Sequence, residues 1–181
     1  MSLASPWVAR FAPLVPAGEV LDLACGNGRH ARHFAALGHP VLALDRDPAA
    51  LAEAAGPGIA TMQADLEDGV TPWPFAAGRF AGIVVTNYLH RPLLARLAAS
   101  LAAGGVLIYE TFSEGNEVFG KPSNPHFLLR QGELLAFAAD AGLAVVAYED
   151  GLLEHPKPAM VQRLCARGPD LARLQTRLGA Q

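Results

Sequence analysis

Strand-like apolar runs alternate with helical patterns along most of this 181-residue chain, and that alternation restricts the fold more than any other feature. Chains that alternate in this way build a mostly parallel sheet with helices packed on both faces. Strands are predicted over residues 19–25, 40–45, 59–65, 80–87 and 106–112. Helices are predicted over residues 29–38, 48–56, 91–105 and 132–142, whereas the proline-rich connection at residues 70–78 has no helical pattern.

Two further β-rich runs, residues 143–150 and 159–168, complete the pattern. The connection between them, residues 151–158, is too short for a helical crossover, so the two runs should pair as an antiparallel hairpin. The sequence therefore predicts a three-layer, doubly wound α/β fold whose mostly parallel seven-stranded sheet ends in this hairpin. We expect residues 1–181 to form a single domain, because the length is close to the usual size of one domain.

Composition and charge argue against several classes of function. Charged residues make up 17% of the chain, the formal net charge is -3, and only two lysines are present, so the basic surface of a nucleic-acid-binding protein is not expected. No apolar run is long enough to span a membrane, and prolines interrupt the segment where a signal peptide needs an apolar core. Cys25 and Cys165 are isolated, which predicts neither a disulfide nor a metal site. A cytoplasmic protein is expected; the oligomeric state is not predicted.

Ligands of open parallel sheets bind beyond the carboxyl ends of the strands, near the point where the strand order reverses. Polar and glycine residues follow several of the predicted strands at this edge. The segments that the rule selects are Ala24–Gly28, Asp45, Asp65, Asn87–His90 and Tyr109–Phe112. The sequence therefore predicts one ligand site built from the ends of five strands.

The first of these ends carries the segment "LDLACGNGRHA", whose Gly26, Gly28 and Ala31 satisfy the dinucleotide pattern G-x-G-x-x-G/A. A dinucleotide would place its pyrophosphate at the N-terminus of the next helix, where the carboxylate of Asp22 opposes the negative charge. S-adenosylmethionine instead brings a sulfonium and an amino group, both positive, which a carboxylate attracts. Arg29 suits a phosphate and the carboxylate of a methionine moiety equally well, so this segment alone leaves both cofactors open.

Taken together, the motifs at the strand ends resemble the class I S-adenosylmethionine-dependent methyltransferases. The resemblance is carried in order by "LDLACGNG", "LALDRD", "MQADLED", "IVVTNYLH" and "GGVLIYETF", and the later helix and hairpin match as well. It implies a Rossmann-like sheet with strand order 3-2-1-4-5-7-6, S-adenosylmethionine as cofactor and S-adenosylhomocysteine as product. Within the family, "CGNGR" and "LLRQGELL" are similar to the small bacterial methyltransferases of the tellurite-resistance type.

The resemblance also implies roles for single residues. Asp45 ends the second strand, where the family uses an acid to accept hydrogen bonds from both ribose hydroxyls. The other residues implied to contact the cofactor are Gly26 and Gly28 by close backbone approach, Ala24 and Cys25 along its path, Asp22, Arg29 and Asn87 at the methionine end, and Arg46, Asp65 and Leu66 around the adenine. Asn87 stands where the family often has an acidic or aromatic residue, which leaves the chemistry of the acceptor open.

The function predicted from these features is transfer of the methyl group of S-adenosylmethionine to a small-molecule acceptor. Residues 113–131, the least periodic stretch of the chain, follow the fifth strand at the ligand edge and are expected to close over the acceptor. The residues expected to contact the acceptor are Tyr88, Tyr109, His126 and Arg130. An NAD(P)-binding Rossmann oxidoreductase and a non-catalytic cofactor-binding protein are the alternatives, because the fold alone excludes neither.

His90 is the candidate general base if the acceptor is protonated at neutral pH, because it follows the fourth strand and an unperturbed histidine titrates near neutrality. Its alternative role is to cap the turn that follows it. Asp22 likewise has an alternative role as a capping or ion-pairing residue near its strand end.

Other noticeable residues are expected to be structural. His30 and His33 lie one helical turn apart, but no third ligand has the spacing of a metal site. Trp7 and Phe11 follow Ser5 and Pro6, a combination that predicts a short capped helix packed on the core.

Overall fold

The computed structural model describes residues 3–169, so the two ends of the expected domain, residues 1–2 and 170–181, lie outside the described residues. Within this range the strands are β1 (Val20–Leu23), β2 (Val41–Asp45), β3 (Ile59–Gln63), β4 (Phe80–Thr86), β5 (Leu101–Phe112), β6 (Ala144–Leu153) and β7 (Ala159–Arg167). They form one seven-stranded sheet in the order β3-β2-β1-β4-β5-β7-β6.

The sheet is parallel from β3 through β5, and β7 pairs antiparallel with both β5 and β6. The predicted doubly wound sheet with a C-terminal antiparallel hairpin is therefore confirmed. The strand order implied by the family resemblance is confirmed as well. Strand order reverses at β1, so the ends of β1 and β4 lie side by side at the position that favours ligand binding.

The helices are α1 (Pro6–Phe11), α2 (Arg29–Ala36), α3 (Pro48–Ala54), α4 (Leu94–Ser100) and α5 (Glu133–Asp140). The first three pack on one face of the sheet, and α4 and α5 pack on the other. Successive strand side chains alternate between the two faces, so that Val20 packs with α1 to α3 and Leu21 packs with α4 and α5. This produces the predicted three layers.

The short helix predicted around Trp7 is confirmed as α1. Ser5 caps it by accepting a hydrogen bond from the backbone N–H of Val8 at 3.1 Å. Trp7 and Phe11 are only 2% and 5% exposed. These aromatic rings therefore belong to the core.

The helix predicted over residues 91–105 is wrong at its C-terminal end. Helix α4 ends at Ser100, and β5 already begins at Leu101, which is buried and pairs with β4. Gly104 has φ 74°, and a Cβ on Gly105 would lie 2.9 Å from two backbone oxygens. The two glycines therefore allow an irregularity inside a strand, where the sequence pattern had indicated the end of a helix.

Residues 113–131 connect β5 to α5 along the carboxyl edge of the sheet. Their core-facing member Leu129 is fully buried. Asn116, also buried, donates from Nδ2 to the Pro122 carbonyl at 3.0 Å and accepts at Oδ1 from the Met160 N–H at 3.2 Å. One amide side chain thereby ties this connection to β7.

The packing of α5 predicts a difference between two adjacent leucines. Leu134→Ala should lower the free energy of unfolding by about 2–5 kcal/mol, because Leu134 is fully buried against the sheet. Leu135→Ala is the matched control and should cost less than about 1 kcal/mol, since Leu135 is 39% exposed. Urea unfolding followed by circular dichroism measures both values. Equal losses would contradict the orientation of α5.

Candidate S-adenosylmethionine site

A cavity of about 220 Å³ lies beyond the carboxyl ends of β1, β2 and β3. It is lined by Leu23, Ala24, Leu44, Asp45, Arg46, Ala64, Asp65, Leu66, Glu67 and Tyr88. The walls are largely apolar, and carboxylates lie around them. This combination suits a flat ligand that carries hydroxyl or amino groups.

A second cavity, of about 190 Å³, lies beyond the ends of β4 and β5. Its lining residues are Glu67, Asn87, Tyr88, Leu89, Thr111, Phe112, Pro122 and Phe127. Glu67 and Tyr88 line both cavities, so the two spaces adjoin at these residues. The arrangement offers two neighbouring compartments, one with three acidic residues and one that is mostly aromatic and apolar.

A larger groove of about 770 Å³ runs between α4 and α5. Alanines and other apolar side chains form most of its lining, and it contains none of the residues that the sequence placed at the ligand edge. We therefore take the two smaller cavities as the candidate site, because the strand ends and the acidic residues meet there.

Asp45 connects the loops after β1 and β2. Its Oδ2 accepts a hydrogen bond from the Gly26 N–H at 2.8 Å, and its Oδ1 accepts one from the Asp47 N–H at 3.0 Å. Each carboxylate oxygen has a further lone pair with which it can accept a ligand hydroxyl. Asp45 thus fixes the glycine loop and faces the first cavity at the same time.

Asp22 has a different role from the one that the family resemblance implies. It is 1% exposed, and its Oδ2 accepts a hydrogen bond from the Ala31 N–H at 2.8 Å. Helix α2 begins after Gly28, which has no side chain to cap it, so Asp22 supplies the cap from the neighbouring strand. This corresponds to the capping alternative, and it makes Asp22 a support for the loop that the cofactor would approach.

Burial raises the pKa of Asp22 to about 7, against the opposing effects of the Ala31 hydrogen bond and of the nearby Arg29 guanidinium. A carboxyl group in this condition changes its proton occupancy close to neutral pH. The strength of the α2 cap therefore depends on pH.

The two glycines of the loop serve different purposes. Gly26 has φ 53°, and a Cβ built there would meet no atom within 4 Å, so its backbone faces open space. A Cβ on Gly28, in contrast, would lie 2.5 Å from the Cβ of Ala54 in α3. The structure therefore explains Gly28 by close helix packing, and only Gly26 faces open space on the side where a ligand can approach.

The exit of β4 is held in a strained conformation. Asn87 has φ 55°, which is uncommon for a residue with a side chain, and its N–H donates to the Glu110 carbonyl at 2.9 Å. Ala24, at the exit of the adjacent β1, has φ 52°. Such conformations persist only where the surroundings enforce them, and they concentrate at functional sites.

Tyr109, in the adjacent strand β5, supports the exit of β4 through a hydrogen bond. It is 1% exposed, and its hydroxyl donates to the carbonyl of Tyr88 at 2.9 Å. Tyr109 therefore lines neither cavity, which corrects the expectation that it contacts the acceptor. Its observed contact positions Tyr88, which does line both cavities.

Three further residues singled out by the sequence also lie off the cavity walls. His90 is the cap residue of the turn Arg91–Leu93, and its carbonyl accepts from the Leu93 N–H at 3.0 Å, as in its alternative role. His126 and Arg130 are exposed on the connection after β5. No side chain of these three residues lines either space in this conformation.

Cys25 and His30 are packing residues beside the glycine loop. Burial raises the pKa of Cys25 to about 12, so its thiol stays protonated. Burial lowers the pKa of His30 to about 3, and its neutral ring accepts from the Ser5 N–H at Nε2. Nδ1 therefore carries the proton and donates to the Thr86 hydroxyl.

Within residues 3–169, no group of three or more His, Cys, Asp and Glu side chains is arranged to hold a metal ion. In the same range, no helix has the length and apolar character needed to cross a membrane.

Sequence analysis missed Glu67 as a site residue. Glu67 comes two positions after Asp65, in a turn where its N–H donates to Asp65 Oδ1 at 2.9 Å. An acid at this distance from a predicted strand end was a usable signal. Pro122 and Phe127, in contrast, belong to the connection after β5 that was expected to close over the acceptor.

The buried Asp22 predicts a pH-dependent difference between the protein and its Asp22→Asn variant. The folded state binds a proton on Asp22 between the ordinary pKa of 3.8 and the folded value of about 7, so the carboxyl group's contribution to stability falls as pH rises through this range. A shift of one pKa unit corresponds to about 1.4 kcal/mol. As the pH rises through this range, the free energy of unfolding of the variant should therefore increase by a few kcal/mol relative to that of the unsubstituted protein.

Urea unfolding of both proteins at about pH 4.5 and about pH 7.5 measures this gain. The titration of His30 is common to both and cancels in the difference. A stability difference that stays constant between the two pH values would contradict the raised pKa of Asp22.

Comparison with known proteins agrees with the fold. Residues 20–105 match the family model described as "Methyltransferase domain". No curated protein sequence matches the chain.

Solved structures give a fold-level match over most of the chain. A SAM-dependent methyltransferase from Methanosarcina mazei is 14% identical, with a TM-score of 0.70 over 92% of this chain and 99% of that chain. One from Mesorhizobium loti is 20% identical, with a TM-score of 0.70 over 90% and 96%. TehB from Haemophilus influenzae is 18% identical, with a TM-score of 0.71 over 89% and 61%. The family model thus matches residues 20–105, and the solved structures share the fold of most of the chain, so the chain is similar to S-adenosylmethionine-dependent methyltransferases over most of its length.

Proposed function

We propose that this chain forms a single methyltransferase domain that transfers a methyl group from S-adenosylmethionine to a small-molecule acceptor. The observation that carries the proposal is the pair of adjoining cavities that meet at Glu67 and Tyr88. One compartment has the size and lining expected for a nucleoside, and the other has room for a small molecule only. Two reactants held in neighbouring compartments react with a much smaller loss of entropy than two free molecules.

The residues of the first cavity fit the adenosine part of the cofactor. Asp45 would accept the ribose hydroxyls with the lone pairs that its backbone partners leave available. Asp65 and Arg46 would border the adenine, whose faces would pack against apolar members of the lining such as Leu66. The cofactor supplies a methyl group on a positively charged sulfur, and the chain's own part is to bind and orient the reactants.

The loop after β1 and the exit of β4 fit the methionine end. Gly26 leaves space beside its backbone, and Ala24 and Asn87 hold their strained conformations on either side. Asp22 would act here through the α2 cap, because its buried carboxylate stabilises the turn that follows Gly28. Arg29, at the first turn of α2, would attract the methionine carboxylate.

The connection after β5 would exclude water from the reacting groups. Pro122 and Phe127 line the second cavity from this connection, and Asn116 ties the same connection to β7. Removal of water strengthens the electrostatic interactions inside a site and prevents competing reactions. His126 and Arg130 would reach the acceptor only if this connection moves, so their contact with it stays a prediction.

Ligand stabilisation tests the cofactor assignment. S-adenosylhomocysteine should raise the melting temperature of the protein in a concentration-dependent way, because a ligand that binds only the folded state shifts the unfolding equilibrium. NAD and NADP should produce no such rise. Stabilisation by NAD or NADP with none by S-adenosylhomocysteine would favour the oxidoreductase alternative.

Substitution of Asp45 tests the binding mode. Asp45→Ala should weaken S-adenosylhomocysteine binding about ten- to a hundredfold, because it removes the charged acceptor of the ribose hydroxyls and also frees the Gly26 N–H. Asp68→Ala is the control, because Asp68 is an acid of the same edge that bonds only to its own turn and lines neither cavity. Isothermal titration calorimetry measures both affinities, and equal affinities would show that the ribose lies elsewhere.

Methyl transfer itself separates an enzyme from a non-catalytic cofactor-binding protein. Incubation with S-adenosylmethionine and a metabolite extract should produce S-adenosylhomocysteine together with a methylated small molecule, both detected by mass spectrometry. Tight cofactor binding without a methylated product would favour the non-catalytic alternative.

A further inference from the structure

We infer that the methyl acceptor is a neutral or cationic molecule of about one ring in size, which presents an N–H or O–H group to the carboxylate of Glu67 in the second cavity. This inference rests on the proposed function, because it assigns the second cavity to the acceptor. It also assigns Glu67 as the residue that selects the acceptor by charge. Acceptors that carry a negative charge, metalloid oxyanions included, are disfavoured by the same argument.

The volume of the second cavity limits the size of the acceptor. About 190 Å³ is available there, which is the share of liquid volume that about six water molecules occupy. Leu89, Phe112, Pro122 and Phe127 provide apolar wall, so the body of the acceptor is flat or apolar. A single substituted ring satisfies both limits.

The charges in the cavity lining limit the chemistry of the acceptor. Glu67 is the only formally charged residue among the eight that line the second cavity, and none of the eight is Lys, Arg or His. An anion about 4 Å from this carboxylate would be repelled by about 1 kcal/mol in water and by several kcal/mol at the lower dielectric near a protein surface. A cation or a hydrogen-bond donor gains from the same carboxylate.

Two arginines near the candidate site do not line the second cavity. Arg91 uses its guanidinium on the Glu133 carboxylate and on the carbonyls of His126 and Leu128, at 2.6–2.9 Å. Arg46 lies on the wall of the first cavity, where the cofactor's adenosine is proposed to bind.

Glu67 lies on an exposed turn at the boundary between the two cavities. Its backbone N–H is bonded to Asp65, and its partner across the boundary, Tyr88, is held through its carbonyl by the buried Tyr109. Glu67 and Tyr88 line the same two cavities; burial raises the pKa of Tyr88, and the charge of Glu67 raises it further. An acceptor group bonded to Glu67 would therefore lie next to the cofactor compartment.

The experiment compares probes that share a ring and differ in charge. Benzylamine is the cationic probe, phenol the neutral donor, and benzoate and tellurite are the anions. Each is titrated by calorimetry into protein saturated with S-adenosylhomocysteine. We expect benzylamine and phenol to bind, and benzoate and tellurite to show at least tenfold weaker binding or none.

Substitution locates the effect. Glu67→Gln should weaken benzylamine binding roughly tenfold and reduce the discrimination against benzoate. The variant is titrated at an S-adenosylhomocysteine concentration that saturates it, so that a change in cofactor affinity does not enter the comparison. Glu154→Gln is the control, at an exposed glutamate of the turn between β6 and β7, and it should leave the affinities for benzylamine and benzoate unchanged.

Three results would overturn the inference. The first is that benzoate or tellurite binds at least as tightly as benzylamine. The second is that Glu67→Gln leaves the benzylamine affinity unchanged. The third is that neither benzylamine nor phenol binds the protein saturated with S-adenosylhomocysteine. Failure of S-adenosylhomocysteine to bind at all is a separate result, which counts against the proposed function.

Discussion

The two hydrogen bonds that the Asp45 carboxylate accepts are the interactions on which the candidate site depends most. The carboxylate bonds the Gly26 N–H of the loop after β1 and the Asp47 N–H of the turn before α3. A hydrogen bond to a charged acceptor is worth more than a neutral one, and here one residue orients two loops. Because the same oxygens face the first cavity, the residue that shapes the glycine loop is also the residue that would bind the ribose.

Buried polar side chains next to the loop after β1 hold this loop in place. Asp22 caps α2 from within the sheet, and His30 joins the Ser5 cap of α1 to Thr86 at the end of β4. Both side chains are 1% exposed. Their hydrogen bonds satisfy groups that would otherwise be costly to bury, so the ends of β1 and β4 and two helix starts are held in one geometry.

The two compartments differ in how firmly their walls are held. The first is bounded by the ends of β1 to β3, whereas part of the second comes from the connection between β5 and α5. Asn116 anchors that connection through the Pro122 carbonyl and the Met160 N–H, and Leu129 is buried, whereas the cavity residue Phe127 is 46% exposed. A site with one rigid compartment and one bordered by a loop suits a constant cofactor and a variable acceptor.

The sequence by itself determined the order of strands and helices along the chain and the edge of the sheet at which the site lies. Strand periodicity, turn residues and acids at strand ends are local signals, so they can be identified without the tertiary structure. The sequence did not determine that Gly28 packs on Ala54, that Asp22 caps α2, or that residues 101–105 extend a strand. Nor did the sequence predict that Glu67 lies beside Tyr88 at the boundary of the two cavities. These depend on contacts between segments distant in the chain, which only the packed sheet and helices bring together.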